Sequence, residues 1–116
     1  MRNLIFALIG FVLLSCSEDA EDVLNCGVDG NMIEKIEWLS IEVDRIRSSP
    51  EINGIVLYKY EGREVVELQE AIRSSTNQTQ FHCDGTRIDF NDSEKFNDYL
   101  QNRVELKVLF GTKIWN

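Results

Sequence analysis

The chain has 116 residues, room for one domain rather than two. It carries 20 Asp and Glu against 12 Lys and Arg, a formal charge of −8, and 43% of its residues are hydrophobic. That apolar share excludes a disordered tail, and one proline with seven glycines excludes collagen-like and Pro/Gly-rich repeats. The acidic balance argues against nucleic acid, whose phosphates need clustered Lys and Arg, and against adsorption to anionic lipid.

Residues 1–15 stand apart in composition. Arg2 is their only charged side chain, and an apolar run of 11 residues follows from Leu4 to Leu14. A stable membrane-spanning helix needs roughly 20 apolar residues, so this run is too short. A charged start, a short apolar stretch and a small residue before a cut form the layout of a secretory signal, expected as a cleaved helix over 1–15. The cut region Leu13-Leu14-Ser15-Cys16 resembles the lipobox of bacterial lipoproteins. That resemblance implies cleavage between Ser15 and Cys16 and a diacylglyceryl group on the Cys16 thiol, with further acylation of its amine. Two or more chains, at roughly 0.8 kcal/mol per buried methylene, anchor stably. The alternative is an ordinary secreted protein with a free thiol.

Residues 16–30 read as an acidic tether, led by Ser17-Glu18-Asp19-Ala20-Glu21-Asp22. Such acids just after a lipidated cysteine resemble the surface-export signals of Bacteroidota lipoproteins; a solvated linker is the plainer reading. Asp29-Gly30 is a turn, without the oxygen ligands of an EF-hand.

With Cys16 assigned to lipid, Cys26 and Cys83 remain. Export makes a disulfide between them reasonable, closing a loop of roughly 58 residues and contributing about 4 kcal/mol on the chain-entropy argument. Two free thiols or a metal pair are the alternatives. The metal reading is disfavoured by the lack of C-x-x-C and by a single histidine, so no metal and no cofactor are expected.

Residues 31–116 are expected to form the globular domain. From Asn31 to Arg47, Met32, Ile36, Leu39, Val43 and Ile46 recur every three or four residues, which predicts one amphipathic helix. Asn31 caps it with Glu34 at capping-box spacing, Ser48-Ser49-Pro50 ends it, and Trp38 lies beside the apolar stripe. Asn53–Tyr60 predicts a strand, with Val56, Tyr58 and Tyr60 on one face. Glu61-Gly62 supplies a two-residue turn and Arg63–Gln69 returns as a second strand, although Val65, Leu68 and Ile72 also fit a helix over 64–73. After a polar loop over 74–78, Gln80–Cys83 and Thr86–Phe90 predict a second hairpin about Asp84-Gly85. A short helix follows from Asn91 with Phe96, Tyr99 and Leu100 on its apolar face, then a strand over 104–110 and a closing Lys113-Ile114-Trp115. The sum is an α+β fold: an N-terminal amphipathic helix packed on a four- to five-stranded antiparallel sheet, with a short second helix before the last strand. One sheet face meets the helix and the other is left open.

The string of elements, with Trp38-Leu39, Tyr58-Lys59-Tyr60-Glu61-Gly62, Cys83-Asp84-Gly85 and Lys113-Ile114-Trp115, resembles small Bacteroidota lipoproteins that carry a domain of unknown function. The resemblance spans roughly residues 31–115 and implies location and domain size. It supplies no catalytic residues, and many such relatives have more cysteines near the second hairpin, where this chain has only Cys83.

No catalytic set emerges. His82, Cys83 and Asp84 are adjacent, but strand neighbours point to opposite faces, so Cys83 points away from His82. No serine lies in a G-x-S-x-G elbow, and no P-loop, dinucleotide fingerprint or H-E-x-x-H occurs. Tyr58 and Tyr60 share a strand face and are the candidate binding face; either both are core or both are exposed. The leading expectation is a non-enzymatic protein-interaction module, inhibitor-like in kind. It would be lipid-anchored through Cys16 in the bacterial envelope, at the outer membrane and with surface exposure. Its protein partner has no identity in the sequence. A structural accessory subunit of an outer-membrane assembly is the alternative. A small hydrolase is the third reading; it predicts a pocket that joins His82 to a carboxylate.

Overall fold

The computed structural model describes residues 24–73 and 75–115. The expected signal helix over 1–15, with Ser15 and Cys16, lies outside the described residues. The architecture is α+β, with a four-stranded antiparallel sheet and three helices among the described residues. No helix among them is long and apolar enough to cross a membrane.

A 3-10 turn over Leu24–Gly27 comes first, with Asn25 and Cys26 in left-handed conformation. The predicted first helix is two helices, α1 over Met32–Lys35 and α2 over Glu37–Ile46. Asn31 caps α1, its Oδ1 accepting from the amides of Ile33 and Glu34 at 2.8 and 3.3 Å. The break falls at Ile36, which is extended. Its N–H closes α1 on the Met32 carbonyl, and its own carbonyl accepts from Ser40 N to open α2. The apolar period runs unbroken through this residue, so periodicity alone could not reveal the break.

Strand β1 (Asn53–Tyr60) pairs with β2 (Arg63–Glu70) in continuous register from Asn53–Glu70 to Tyr60–Arg63. Glu61 and Gly62, both at positive φ, make the tight turn that favours strand over helix here. Strand β3 (Gln80–Phe81) borders β2, and α3 (Ser93–Asn102) leads into β4 (Val104–Gly111), which pairs with β1. The order is β3-β2-β1-β4.

The second hairpin is shorter than its sequence predicts. Gln80–Phe81 alone is strand, and the return leg touches it through a single bridge from Phe81 to Arg87. Asp84 Oδ1 takes the Thr86 amide and hydroxyl, and those bonds hold its carboxyl below the usual range. The chain then leaves the sheet, and Phe90 is buried in a second core cluster.

Both sheet faces are covered, which corrects the expectation of an open face. On one face Met32, Leu39, Val43 and Ile46 share a buried cluster with Ile55, Leu57, Val66 and Leu68. On the other, Val56, Tyr58 and Val65 pack with Phe90 and Tyr99. Buried aliphatic and aromatic side chains contribute roughly 1.5–3 kcal/mol each, so neither layer is incidental. The edges are blunted as well. Strand β3 has two residues, and β4 shifts register twice against β1, leaving Leu106 and Leu109 without strand partners.

At the end of β4 the backbones come close. A Cβ on Gly54 would lie 2.0 Å from the Thr112 carbonyl oxygen, and one on Gly111 would lie 2.1 Å from that of Asn53.

Candidate functional site

The second face of the sheet ends in a cleft of about 700 Å³, within the size range of ligand sites. Three segments build it: the tip of the β1–β2 hairpin, the chain from His82 to Phe90, and the first turns of α3. Buried Val65 and Phe90, with half-buried Ile88 and Tyr60, form its apolar floor. Exposed Glu61, Asp89, Asp92, Glu94 and Asp98 supply carboxylates at the rim, against two fixed cations, Arg63 and Lys95. The rim therefore favours cations.

Local bonding orders that rim. Asp92 caps α3, its Oδ1 accepting from Glu94 N at 2.9 Å, and Asp89 Oδ1 accepts from Asn91 N at 3.0 Å. The Tyr60 hydroxyl donates to the Asp98 carboxylate, and that bond pushes the phenol up to about 12. The Tyr60 ring meets Tyr99 and Phe90 edge-on, with centroids 5.2 and 6.4 Å apart. Its orientation is thus fixed from both ends.

Beneath the cleft lies a buried polar network centred on Glu67, which is fully enclosed. Its Oε1 accepts from Arg103 Nη1 at 2.6 Å, Gln80 Nε2 at 2.9 Å and the Tyr99 hydroxyl at 3.0 Å. Its Oε2 accepts from Gln69 Nε2 at 2.7 Å and Trp115 Nε1 at 3.0 Å. Arg103 stacks on the Tyr58 ring at 4.0 Å, and burial raises the phenols of Tyr58 and Tyr99. Gln69 Oε1 accepts from the amides of Ile114 and Trp115, so the network also fastens the C-terminal segment.

The sequence-derived candidates separate in space. Tyr58 is 2% exposed and its hydroxyl accepts from Gln69 Nε2, so it is core and not a binding face. Tyr60 lines the cleft. The two tyrosines share a strand face yet part company because α3 covers that face over Tyr58 and leaves the hairpin tip partly open. Cys26 and Cys83 are joined in a disulfide. Trp38 packs beside that bond: its Nε1 donates to the Cys83 carbonyl at 2.9 Å, and its ring atoms lie 3.0 Å from the position a Cβ on Gly85 would take. Glu64 also approaches the disulfide, its Oε1 accepting from Cys26 N at 2.6 Å.

His82 lines the cleft among carboxylates. No serine, threonine or cysteine is among the lining residues, and the lining hydroxyl, Tyr60, donates to Asp98. Sequence reading missed Phe90, Asp92 and Asp98 as site residues. Phe90 and Asp92 lie in an acid-rich aromatic stretch, Asp89-Phe90-Asn91-Asp92-Ser93-Glu94-Lys95-Phe96, read as the end of a hairpin strand and the start of a helix, and Asp98 follows on that helix.

No protein-family model, curated protein or solved structure matches this chain.

Proposed function

We propose that this chain is a lipid-anchored protein of the bacterial envelope, related to the small Bacteroidota lipoproteins it resembles. In this reading its domain binds a cationic segment of a protein partner without chemistry. Cys16 carries the lipid, and outer-membrane placement with surface exposure follows from the acidic residues after it. The observation that supports binding is the cleft itself: an aromatic floor of Tyr60 and Phe90 under a rim with excess carboxylates. Lysine or arginine side chains suit that combination, since their charge meets the acids while the half-buried Tyr60 ring and the apolar floor accept their stems.

A lysine-rich peptide, immobilised, provides the test. Wild-type domain should be retained, and the double variant Asp92→Asn/Asp98→Asn should elute at clearly lower salt. Equal retention of both would place any attraction in the chain's general negative charge and defeat the reading.

The location of His82 beside carboxylates keeps a hydrolase as the second reading. His82→Ala should leave peptide retention unchanged if the cleft only binds. Loss of a hydrolytic activity on that substitution would favour catalysis instead.

A further inference from the structure

We propose that Cys26, Cys83 and Glu64 form a redox-gated site for a thiophilic divalent cation of the Zn2+ type. The two sulfurs and a Glu64 carboxylate oxygen all lie within 4.8 Å of one another, and all three residues are half-buried. The donors come from three separate places: the turn before α1, the start of β2 and the turn after β3. Glu64 is held there by the Cys26 amide at 2.6 Å, so its position does not depend on a chance surface rotamer.

In the oxidised chain the sulfurs are bonded to each other and the set cannot chelate. Reduction by a dithiol breaks the S–S bond. Two electrons and two protons pass to the cysteines, which become thiols, and the reductant closes to its own disulfide. Binding then displaces the two thiol protons and places two thiolates and one carboxylate on the cation. Without a cation, those three negative charges would repel at close range. With one, the repulsion becomes ligation, and the soft thiolates select Zn2+ over Mg2+ or Ca2+. The Cα atoms of the two cysteines are 5.5 Å apart, so little backbone movement is needed for both sulfurs to reach one ion at about 2.3 Å. A disulfide oxidant reverses the gate: it takes the two electrons and, with two protons, becomes a dithiol while the Cys26–Cys83 bond reforms and the ion is ejected.

The experiment uses the full chain in detergent with Cys16→Ser, which removes its only other thiol. The protein is reduced with a phosphine, which becomes the phosphine oxide, then freed of reductant under nitrogen and titrated with Co2+. The expected result is a near-ultraviolet thiolate-to-cobalt charge-transfer band that saturates at one equivalent, vanishes on adding Zn2+ and is absent from the oxidised chain. Glu64→Gln keeps both thiols and should weaken binding by roughly tenfold or more, at least the effect of losing a supporting group around a metal. No band from the reduced chain, with two thiols confirmed by alkylation, overturns the proposal. Equal affinity in Glu64→Gln overturns the three-donor site. Circular dichroism covers the remaining case: a reduced chain that unfolds and is refolded by Zn2+ supports the site, and one that stays unfolded with Zn2+ refutes it.

Discussion

Arg103 Nη1 lies 2.6 Å from Glu67 Oε1, and the two side chains are 3% and 0% exposed. The Glu67 side of this deep pair is saturated, its remaining lone pairs being occupied by Gln80, Tyr99, Gln69 and Trp115, whereas Arg103 Nη2 has no hydrogen-bond partner among the described residues. Glu67→Ala leaves the Arg103 charge buried and unpaired. It should lower stability by about 3–5 kcal/mol, read as a fall in the urea midpoint. A midpoint within error of wild type would mean that the pair contributes nothing net.

Glu70 makes a different prediction. It is 3% exposed and takes a two-pronged contact from Arg45 at 3.0 and 2.9 Å, with Arg73 at 3.2 Å. The Arg45 hydrogen bonds hold its carboxyl below the usual carboxylate range despite burial. In the unfolded chain it titrates near 4.3. The unfolded state therefore takes up the proton first, and acid favours unfolding. The Glu70 contribution is present in full above the unfolded value and is lost as pH falls through the lower folded value. Wild type should lose more stability than Glu70→Gln between pH 6 and about 3; parallel curves from pH-dependent denaturation would contradict this.

Gly54 and Gly62 separate two roles of glycine. Gly54 has ordinary φ but no room, its Cβ position lying 2.0 Å from a backbone oxygen. Gly62 has room but φ of +78°. Gly54→Ala forces the β1–β4 backbones apart and should cost about 3 kcal/mol or more, whereas Gly62→Ala should cost only about 1–2 kcal/mol. Thermal midpoints of the two variants rank them, and the reverse order would refute the close-approach argument.

Cys26→Ser should destabilise the oxidised domain by about 2–4 kcal/mol through the loop it opens. Urea denaturation with and without reductant checks this. The reductant should lower the wild-type midpoint and leave that of the variant unmoved.

The first sheet face and the β1–β2 hairpin were legible because local signals agreed. Leu39, Val43 and Ile46 follow helical spacing, and Glu61-Gly62 is a turn that only strands use in this way. The second face was not legible because Glu67 and Gln69 alternate with apolar residues as solvent-facing strand residues do. Four of the five donors to Glu67 lie 13 to 48 residues away along the chain. No local pattern announces such convergence. The continuous run Ile55-Val56-Leu57-Tyr58 was the available sign that both faces are buried. The cleft was half legible. Tyr60 was singled out, but only the fold brings Phe90 and Asp98 to it. The third donor near the disulfide, Glu64, is 38 residues from Cys26 and carries no motif.

The most direct measurement is a chemical-shift titration of the 15N-labelled oxidised protein with a tetralysine peptide at moderate salt. Binding in the cleft predicts saturating shifts concentrated on Tyr60, Ile88, Phe90 and the first turn of α3, and their loss in Asp92→Asn/Asp98→Asn. Shifts spread over every acidic surface, unsaturated and unchanged in the variant, would contradict the cleft as the binding site.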